Sequence, residues 1–250
     1  MKCLFLVAGY ATRLFPLTKN HPKALLEIGG KPILDYVLAQ VNEIDAIDEI
    51  VVISNDKFFP HFSEWAETRE NSKPIIVLND NTLDDATKLG AIGDIDFAID
   101  NAGINDDLMV LAGDNLFTFK LTDFYDFFMK HQLDCITVHQ VDDVSELQRM
   151  GVAQLDENGL VLDMEEKPQV PKSNTAVDPF YIYKKSTLPL IKKYLADGNN
   201  PDAPGNFPSW LHKQQDVIAH WIDGFSIDIG TVANYEYVNA NFDELFQGKL

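Results

Sequence analysis

Five short apolar runs occur in the first 140 residues, and each is continuous rather than alternating with polar residues. A continuous run of this length is typical of a strand that is buried on both faces of a sheet. The five runs are Cys3–Ala8, Ile50–Ile53, Ile75–Leu78, Leu108–Ala112 and Cys135–Val138. They predict five buried strands.

Segments with helical periodicity separate these runs. Pro32 suits the first turn of a helix, and after it apolar side chains recur at helical spacing from Ile33 to Ile44. Further helix candidates are residues 57–69, 84–101 and 121–131. Strands that alternate with helices predict a doubly wound, mainly parallel α/β sheet.

Beyond residue 140 the predicted strands become shorter. They are Val152–Leu155, Leu160–Met164, Ala176–Tyr183 and Val217–Ile222, with a turn at residues 157–159 and helices over residues 186–196 and 231–246. This change predicts a smaller α+β lobe attached to the sheet. We therefore expect a single domain over residues 1–250, with a core at 1–140, a lobe at 141–225 and a closing segment at 226–250.

The charge of the chain excludes one class of partner. A formal net charge of −19 argues against nucleic-acid binding, which requires a basic face. No apolar run approaches the roughly 18 residues of a membrane span, and no secretory signal pattern precedes the first run. We expect a cytoplasmic protein. Residues 1–31, however, hold five basic side chains and one acidic one. This cluster either arises by chance or indicates that a small anionic ligand binds there.

The segment after the first run carries the clearest chemistry. In an open α/β sheet, ligands bind beyond the carboxyl ends of the strands. A loop there can offer backbone N–H groups to phosphate oxygens. Arg13 adds a planar fork and Lys23 a compact positive charge. Neither the P-loop pattern nor G-x-G-x-x-G is present. The predicted phosphate-binding loop consists of Val7, Ala8, Gly9, Tyr10, Ala11 and Thr12.

The run from Leu6 to Thr18, with Pro22-Lys23, resembles the signature of the sugar-phosphate nucleotidylyltransferases, written L-A-A-G-x-G-T-R-L-x-P-L-T followed by P-K. The resemblance implies a Rossmann-like fold of the nucleotide-diphospho-sugar transferase type. It also implies the condensation of a nucleoside triphosphate with a sugar 1-phosphate, releasing pyrophosphate. Ala11 departs from the usual glycine. Alanine is the least costly replacement there if the backbone φ angle is negative.

Two further motifs extend the resemblance to a metal site. Residues 111–115 and 225–231 each bring one aspartate to the end of an apolar run. Matching aspartates in the family bind Mg²⁺, which implies Asp114 and Asp228 as its ligands. Either aspartate alone would be typical of a turn or a helix cap. By the same resemblance, Asn79 and Gly113 contact the nucleotide.

The lobe contains the residues that the resemblance assigns to the sugar phosphate. Glu166 and Lys167 lie in a Glu-Glu-Lys-Pro element that matches the family. The resemblance implies that Glu166 binds sugar hydroxyls and that Lys167 binds the sugar phosphate. Gly151 would leave room for the sugar ring. Val177 is the last residue of the stretch 174–177, which also resembles the family. Residues 1–140 would then bind nucleotide, 141–225 sugar phosphate, and 226–250 would supply a metal ligand.

The resemblance predicts in-line attack by a phosphate oxygen, which needs no general base. Arg13 would hold the departing pyrophosphate, Lys23 would stabilise charge at the α-phosphate, and Lys167 would align the attacking phosphate. Alternatives are a cytidylyltransferase acting on phosphocholine, a glycosyltransferase of related architecture, and a non-catalytic regulatory subunit. The base and the sugar stay open, since residues 79–91 and Asp178-Pro179 depart from the family patterns. A homo-oligomer is expected, and the Asp94-Ile95-Asp96 motif is predicted to lie on a solvated helix face.

Overall fold

The computed structural model of the protein describes residues 1–246, and in it the chain forms two compact units. The first unit comprises Lys2–Lys88, Ala112–Thr122 and the chain from residue 223 onward. The second unit comprises Met1, Leu89–Leu111 and Asp123–Ile222. The division at residues 140 and 225 stays a prediction. No helix among the described residues is long and apolar enough to cross a membrane.

The strands and helices follow the order that the apolar runs predicted. The strands are β1 (Lys2–Leu6), β2 (Glu27–Ile28), β3 (Lys31–Pro32), β4 (Glu49–Ser54), β5 (Ile75–Asn79), β6 (Leu108–Ala112), β7 (Asn115–Phe117), β8 (Asp134–Gln140), β9 (Gly151–Leu155), β10 (Val161–Glu166), β11 (Thr175–Tyr183), β12 (Val217–Trp221) and β13 (Ser226–Asp228). The helices are α1 (Ile33–Asn42), α2 (Phe59–Glu67), α3 (Ala91–Asn101), α4 (Leu121–His131), α5 (Val144–Leu147), α6 (Leu188–Ala196), α7 (Asn206–Leu211), α8 (Val232–Ala240) and α9 (Phe242–Phe246).

The first unit is built on parallel strands. β1 pairs with β4, and β4 pairs with β5, all running in the same direction. Leu6 pairs with Ile53, which pairs with Leu78, so the carboxyl ends of the three strands lie level. The predicted α/β class is confirmed. The expectation that Ile75–Leu78 is buried on both faces is wrong, because β5 is an edge strand whose residues are only half-buried.

The second unit has a mixed sheet centred on β11. This strand pairs antiparallel with β6, β8 and β9, while β10 pairs antiparallel with β9 and β12 pairs parallel with β8. The register of β11 against β8 shifts between Asp178 and Tyr181, around Pro179. Proline cannot donate a ladder hydrogen bond, so an irregularity at this point is expected. Of the short strands that the sequence predicted after residue 140, β9, β10 and β11 thus form antiparallel pairs, whereas β12 pairs parallel with β8.

One apolar core of the first unit combines residues from distant parts of the chain. It joins the loop after β1, helix α1, the β7–β13 ribbon and the last two helices. Its buried members are Leu14, Leu26, Ile28, Ile33, Tyr36, Leu116, Ile229, Val238 and Phe246. Since Leu14 and Ile229 directly follow Arg13 and Asp228, this core fixes the backbone that carries both functional candidates.

Three local predictions differ from the structure. The helix predicted over residues 84–101 begins only at Ala91, because Asp84 Oδ1 accepts the backbone N–H groups of Ala86 and Thr87. Such local bonds compete with helix formation. The helix predicted over residues 231–246 is divided into α8 and α9. Asp94 lies on the packed side of α3 and is buried, which contradicts the solvated face predicted for it.

Candidate functional site

The loop after β1 is attached to the end of the neighbouring strand. Val7 continues the ladder by donating its N–H to Ile53 O at 3.2 Å. Asn55, fully buried after β4, donates its Nδ2 to Ala8 O at 2.8 Å and accepts from the N–H of Phe58 at 3.0 Å. The sequence analysis did not identify Asn55 as a support for this loop. A polar residue at the end of an apolar run is its only signal, and an ordinary turn residue gives the same signal.

Within the loop, side chains and backbone serve different purposes. Gly9 is exposed, and a Cβ atom placed there would have no heavy atom within 4 Å, so the backbone faces open space. Tyr10 is buried and donates its hydroxyl to Thr82 O at 2.9 Å. Its side chain is therefore part of the fold, and only its backbone is left for a ligand. Thr12 is exposed at the start of a 3-10 turn that ends at Leu14.

Ala11 has a left-handed backbone, with φ at 47° and ψ at 43°. Its carbonyl accepts the N–H of Leu14 at 3.0 Å and the hydroxyl of Thr18 at 2.7 Å, which holds the turn in this conformation. The condition under which alanine would replace glycine at least cost, a negative φ, is therefore not met. The chain turns sharply from the loop into a 3-10 helix here. Glycine adopts this left-handed backbone without the steric cost that the Cβ atom of alanine brings.

Lys23 lies between two carboxylates that come from distant parts of the chain. Its Nζ is 2.9 Å from Asp114 Oδ2 and forms a second, very short ion pair with Asp228 Oδ1. Asp114 occupies the turn before β7, and Asp228 ends β13 opposite Asn115, so the ribbon brings the two aspartates together. Burial lowers the pKa of Lys23, but the two negative charges outweigh that effect and raise it. Lys23 therefore stays protonated.

A cavity of about 200 Å³ opens at this ion-paired cluster. Three of the six residues of the predicted phosphate loop and both predicted metal ligands contribute to its wall. A Cβ atom at Gly230 would lie 3.3 Å from Asp228 Oδ2 and 3.7 Å from Arg13 Nη1, so this glycine leaves room for both groups. The lining residues are Leu6, Val7, Gly9, Ala11, Arg13, Leu14, Lys23, Ala24, Asp114, Asp228, Ile229 and Gly230.

The two nucleotide contacts predicted outside the loop, Gly113 and Asn79, do not contribute to this wall. Gly113 donates its N–H to Leu6 O at 3.3 Å, and a Cβ atom there would lie 2.6 Å from Val7 Cγ1. Gly113 therefore permits close packing behind the loop. Asn79, at the end of β5, donates its Nδ2 to Asp56 Oδ1 at 2.8 Å and accepts the N–H of Asn81. Its amide is thus engaged in the turn that follows β5.

A second group of predicted residues lies in the second unit. Gly151 pairs with Glu166 on one side and with Val177 on the other, so the three residues lie side by side across β10, β9 and β11. A Cβ atom at Gly151 would lie 3.1 Å from Glu166 Oε2 and 3.2 Å from Val177 Cβ. Lys167 follows with a left-handed backbone, and its Nζ is 3.6 Å from Glu166 Oε1. Burial raises the pKa of Glu166, and Lys167 partly opposes this shift.

Asp178, which departs from the family pattern, has a partner on β8. Its carboxylate is fully buried, and its Oδ2 lies 2.7 Å from His139 Nδ1. Burial lowers the pKa of His139, but the hydrogen bond and the charge of Asp178 outweigh burial, so the pKa is raised. The departure from the pattern therefore introduces a buried carboxylate that is hydrogen-bonded to His139 and forms an ion pair with it when the imidazole is protonated.

The chain is similar to known proteins over most of its length. Bifunctional protein GlmU from Methanocaldococcus jannaschii is 27% identical over 231 residues, which are 92% of this chain and 51% of that protein. The chain thus spans about half the length of this relative. UTP–glucose-1-phosphate uridylyltransferase AglF from Haloferax volcanii is 28% identical over 246 residues, covering 92% of this chain and 91% of that protein.

A solved structure and a family model extend the comparison. A crystal structure of UDP-glucose pyrophosphorylase complexed with UDP-glucose has the same fold, with a TM-score of 0.82 and 23% identity. The superposition covers 97% of this chain and 98% of the other. The family model described as nucleotidyl transferase matches residues 2–244. Because this match includes nearly the whole chain, the protein belongs to the nucleotidyl transferase family.

Proposed function

We propose that the protein joins a nucleoside triphosphate to a sugar 1-phosphate and releases pyrophosphate. The observation that carries this proposal is the meeting of Arg13, Lys23, Asp114 and Asp228 at one cavity beside an open backbone loop. Membership of the nucleotidyl transferase family supports it. So does the similarity to AglF, whose name describes a glucose-1-phosphate uridylyltransferase.

The two aspartates fit a divalent cation. Both carboxylates reach a single point, the ammonium of Lys23, and both are partly exposed, by 33% for Asp114 and 54% for Asp228. Mg²⁺ prefers oxygen ligands and commonly binds one or two carboxylates together with substrate phosphates. We propose Asp114 and Asp228 as its ligands. When bound, Mg²⁺ would neutralise charge on the triphosphate.

The side chains of the cavity would bind the phosphates and stabilise the charge that develops on them. Arg13 and Lys23 line the cavity together with two carboxylates, so the formal charges of these side chains cancel. A bound divalent cation would make the cavity attractive to phosphates. Lys23 would then turn toward the α-phosphate, where negative charge builds up during attack. Arg13, which is exposed, would contact the departing pyrophosphate through its planar fork. The attacking phosphate oxygen is already ionised near neutral pH, so no general base is required.

The size of the cavity indicates which part of the nucleotide it holds. Sites for whole drug-sized ligands typically measure about 300–1,000 Å³, whereas this cavity measures about 200 Å³. It suits a phosphate chain better than a complete nucleotide. In the second unit, Glu166 would bind sugar hydroxyls and Lys167 the sugar phosphate, with Gly151 and Val177 beside them. A buried carboxylate with spare acceptor capacity suits the hydroxyl groups of a sugar.

The test is pyrophosphate release with Mg²⁺, measured for five nucleoside triphosphates against several sugar 1-phosphates and phosphocholine. Release that depends on one pair of substrates is the expected result, and it identifies the base and the sugar. Release with CTP and phosphocholine alone would show that the second substrate is phosphocholine and not a sugar 1-phosphate. No release with any pair, while calorimetry still detects nucleotide binding, would refute the enzymatic proposal in favour of a regulatory subunit.

A further inference from the structure

The carboxylate of Glu166 rests directly on the backbone of a distant glycine. A Cβ atom built on Gly205 would lie 2.0 Å from Glu166 Oε2 and 2.9 Å from its Cδ. Real Cβ atoms do not approach other atoms this closely. Gly205 has φ at −69° and ψ at −12°, which every residue type adopts readily. The backbone conformation therefore does not require glycine here, but the position of the carboxylate does.

A second glycine limits the same carboxylate from the neighbouring strand. Gly151 pairs with Glu166, and a Cβ atom at Gly151 would lie 3.1 Å from the same Oε2 atom. The carboxylate thus occupies a space that exists because two residues lack side chains. Gly205 itself is buried just before α7, which packs against β10, so its backbone cannot retreat easily.

Glu166 also has hydrogen-bonding capacity to spare. Its side chain is only 14% exposed, and its one ionic neighbour among residues 1–246 is Lys167, whose Nζ is 3.6 Å from Oε1. A buried carboxylate can accept several hydrogen bonds and is costly to leave unsatisfied. Lys167 pairs with Oε1, so the acceptor capacity of Oε2, the atom that touches Gly205, is not used by this ion pair.

We propose that Gly205 is a positioning residue, whose missing side chain sets the point at which Glu166 receives the hydroxyl groups of the sugar. This inference rests on the function proposed above. A methyl group at position 205 would push against the flexible end of Glu166 rather than against backbone. The low-cost response is rotation of the glutamate, which keeps the fold and misplaces the carboxylate.

The experiment compares the wild type with Gly205→Ala in the full chain. A misplaced hydrogen bond to a charged group should raise the KM for the sugar 1-phosphate roughly 10- to 100-fold, while the Kd for the nucleoside triphosphate and the melting temperature stay unchanged. Ser209→Ala is the matched control. Ser209 lies in α7, which directly follows Gly205, and its hydroxyl has no hydrogen-bond partner among residues 1–246. The KM of Ser209→Ala should therefore not change.

A double variant separates positioning from a general structural role. Aspartate is one methylene shorter than glutamate, so Glu166→Asp withdraws the carboxylate from position 205. Gly205→Ala combined with Glu166→Asp should lose no more activity than the worse single variant, because the two changes affect one contact. Full additivity of the two losses would overturn the inference.

A readout without substrate keeps this inference distinct from the proposed function. The pKa of the Glu166 carboxyl, followed by NMR in labelled protein, should fall when Gly205→Ala turns the group toward solvent. An unchanged pKa would refute the positioning role even if activity fell. If wild-type protein used no sugar 1-phosphate, the proposed function would fail, and the pKa comparison would still decide whether Gly205 places the carboxylate.

Discussion

The left-handed backbone of Ala11 predicts that replacing this alanine with glycine stabilises the protein. An L-residue in this conformation brings Cβ close to the following carbonyl oxygen, whereas glycine has no such contact. The usual effect of Ala→Gly is the opposite, because glycine gains more conformational freedom in the unfolded chain. The sign of the change in unfolding free energy therefore reports the conformation at position 11.

The magnitude follows from two opposing terms. Relief of the left-handed strain, net of the entropy of glycine, is worth about 1 kcal/mol. Ala11 is partly buried and packs against the apolar core beneath the loop. Losing a half-buried methyl group costs about 0.4 kcal/mol, half the value for a fully buried one. The expected net gain is roughly 0.5 kcal/mol, or ~1–2 °C in melting temperature for a chain of this size.

Thermal and urea unfolding of Ala11→Gly should be compared with Ala66→Gly. Ala66 is also partly buried, but it lies inside α2, where glycine costs about 1 kcal/mol relative to alanine, in addition to about 0.4 kcal/mol for the half-buried methyl group. The two variants should differ by about 2 kcal/mol, which is ~4–8 °C. A loss of stability in Ala11→Gly equal to that in Ala66→Gly would refute the strain at position 11.

Three further predictions concern the cavity residues Arg13 and Lys23 and the pair of His139 with Asp178. Arg13→Ala should lower kcat about 10²-fold without changing the melting temperature, and normal turnover would exclude its catalytic role. Lys23→Met removes the cation between two carboxylates, so calorimetry should show tighter Mn²⁺ binding to the nucleotide-free protein alongside lower turnover; unchanged Mn²⁺ affinity would contradict this. The folded pKa of His139 is raised above its unfolded value of about 6.5, so the stability from its pair with Asp178 is complete below that pH and is lost as the pH rises through the folded pKa. As the pH rises from below about 6.5 to above the folded pKa, the urea midpoint should fall less for His139→Gln than for the wild type.

Several elements could be predicted because a single periodicity determines them. The apolar run Leu108–Ala112 predicted β6 with the observed bounds, and the pattern over residues 121–131 predicted α4 equally well. The loop after β1 was identified by its small residues and its two basic neighbours. In these segments, burial and local propensity favour the same structure.

Other features depend on contacts that apolar periodicity does not encode. The helical pattern over residues 84–90 gave way to hydrogen bonds that Asp84 Oδ1 accepts from the N–H groups of Ala86 and Thr87. Gly90 has φ at +78° and lies against the backbone of Pro201. The close approach of Gly205 to Glu166 joins residues far apart in the chain. The ion pair of Asp178 with His139 likewise needed the register of β11 against β8.

The ion pair between Lys23 and Asp228 joins residues 205 positions apart. Closing so long a loop costs chain entropy, and contacts of such high sequence separation slow folding. A chain still emerging from the ribosome cannot form this cavity until residue 228 has been synthesised. A ligand held there would bind the native state and not its precursors, and it would stabilise the finished fold by mass action. Ligand affinity therefore reports that the chain has been synthesised at least as far as Gly230 and that the segments lining the cavity have folded together.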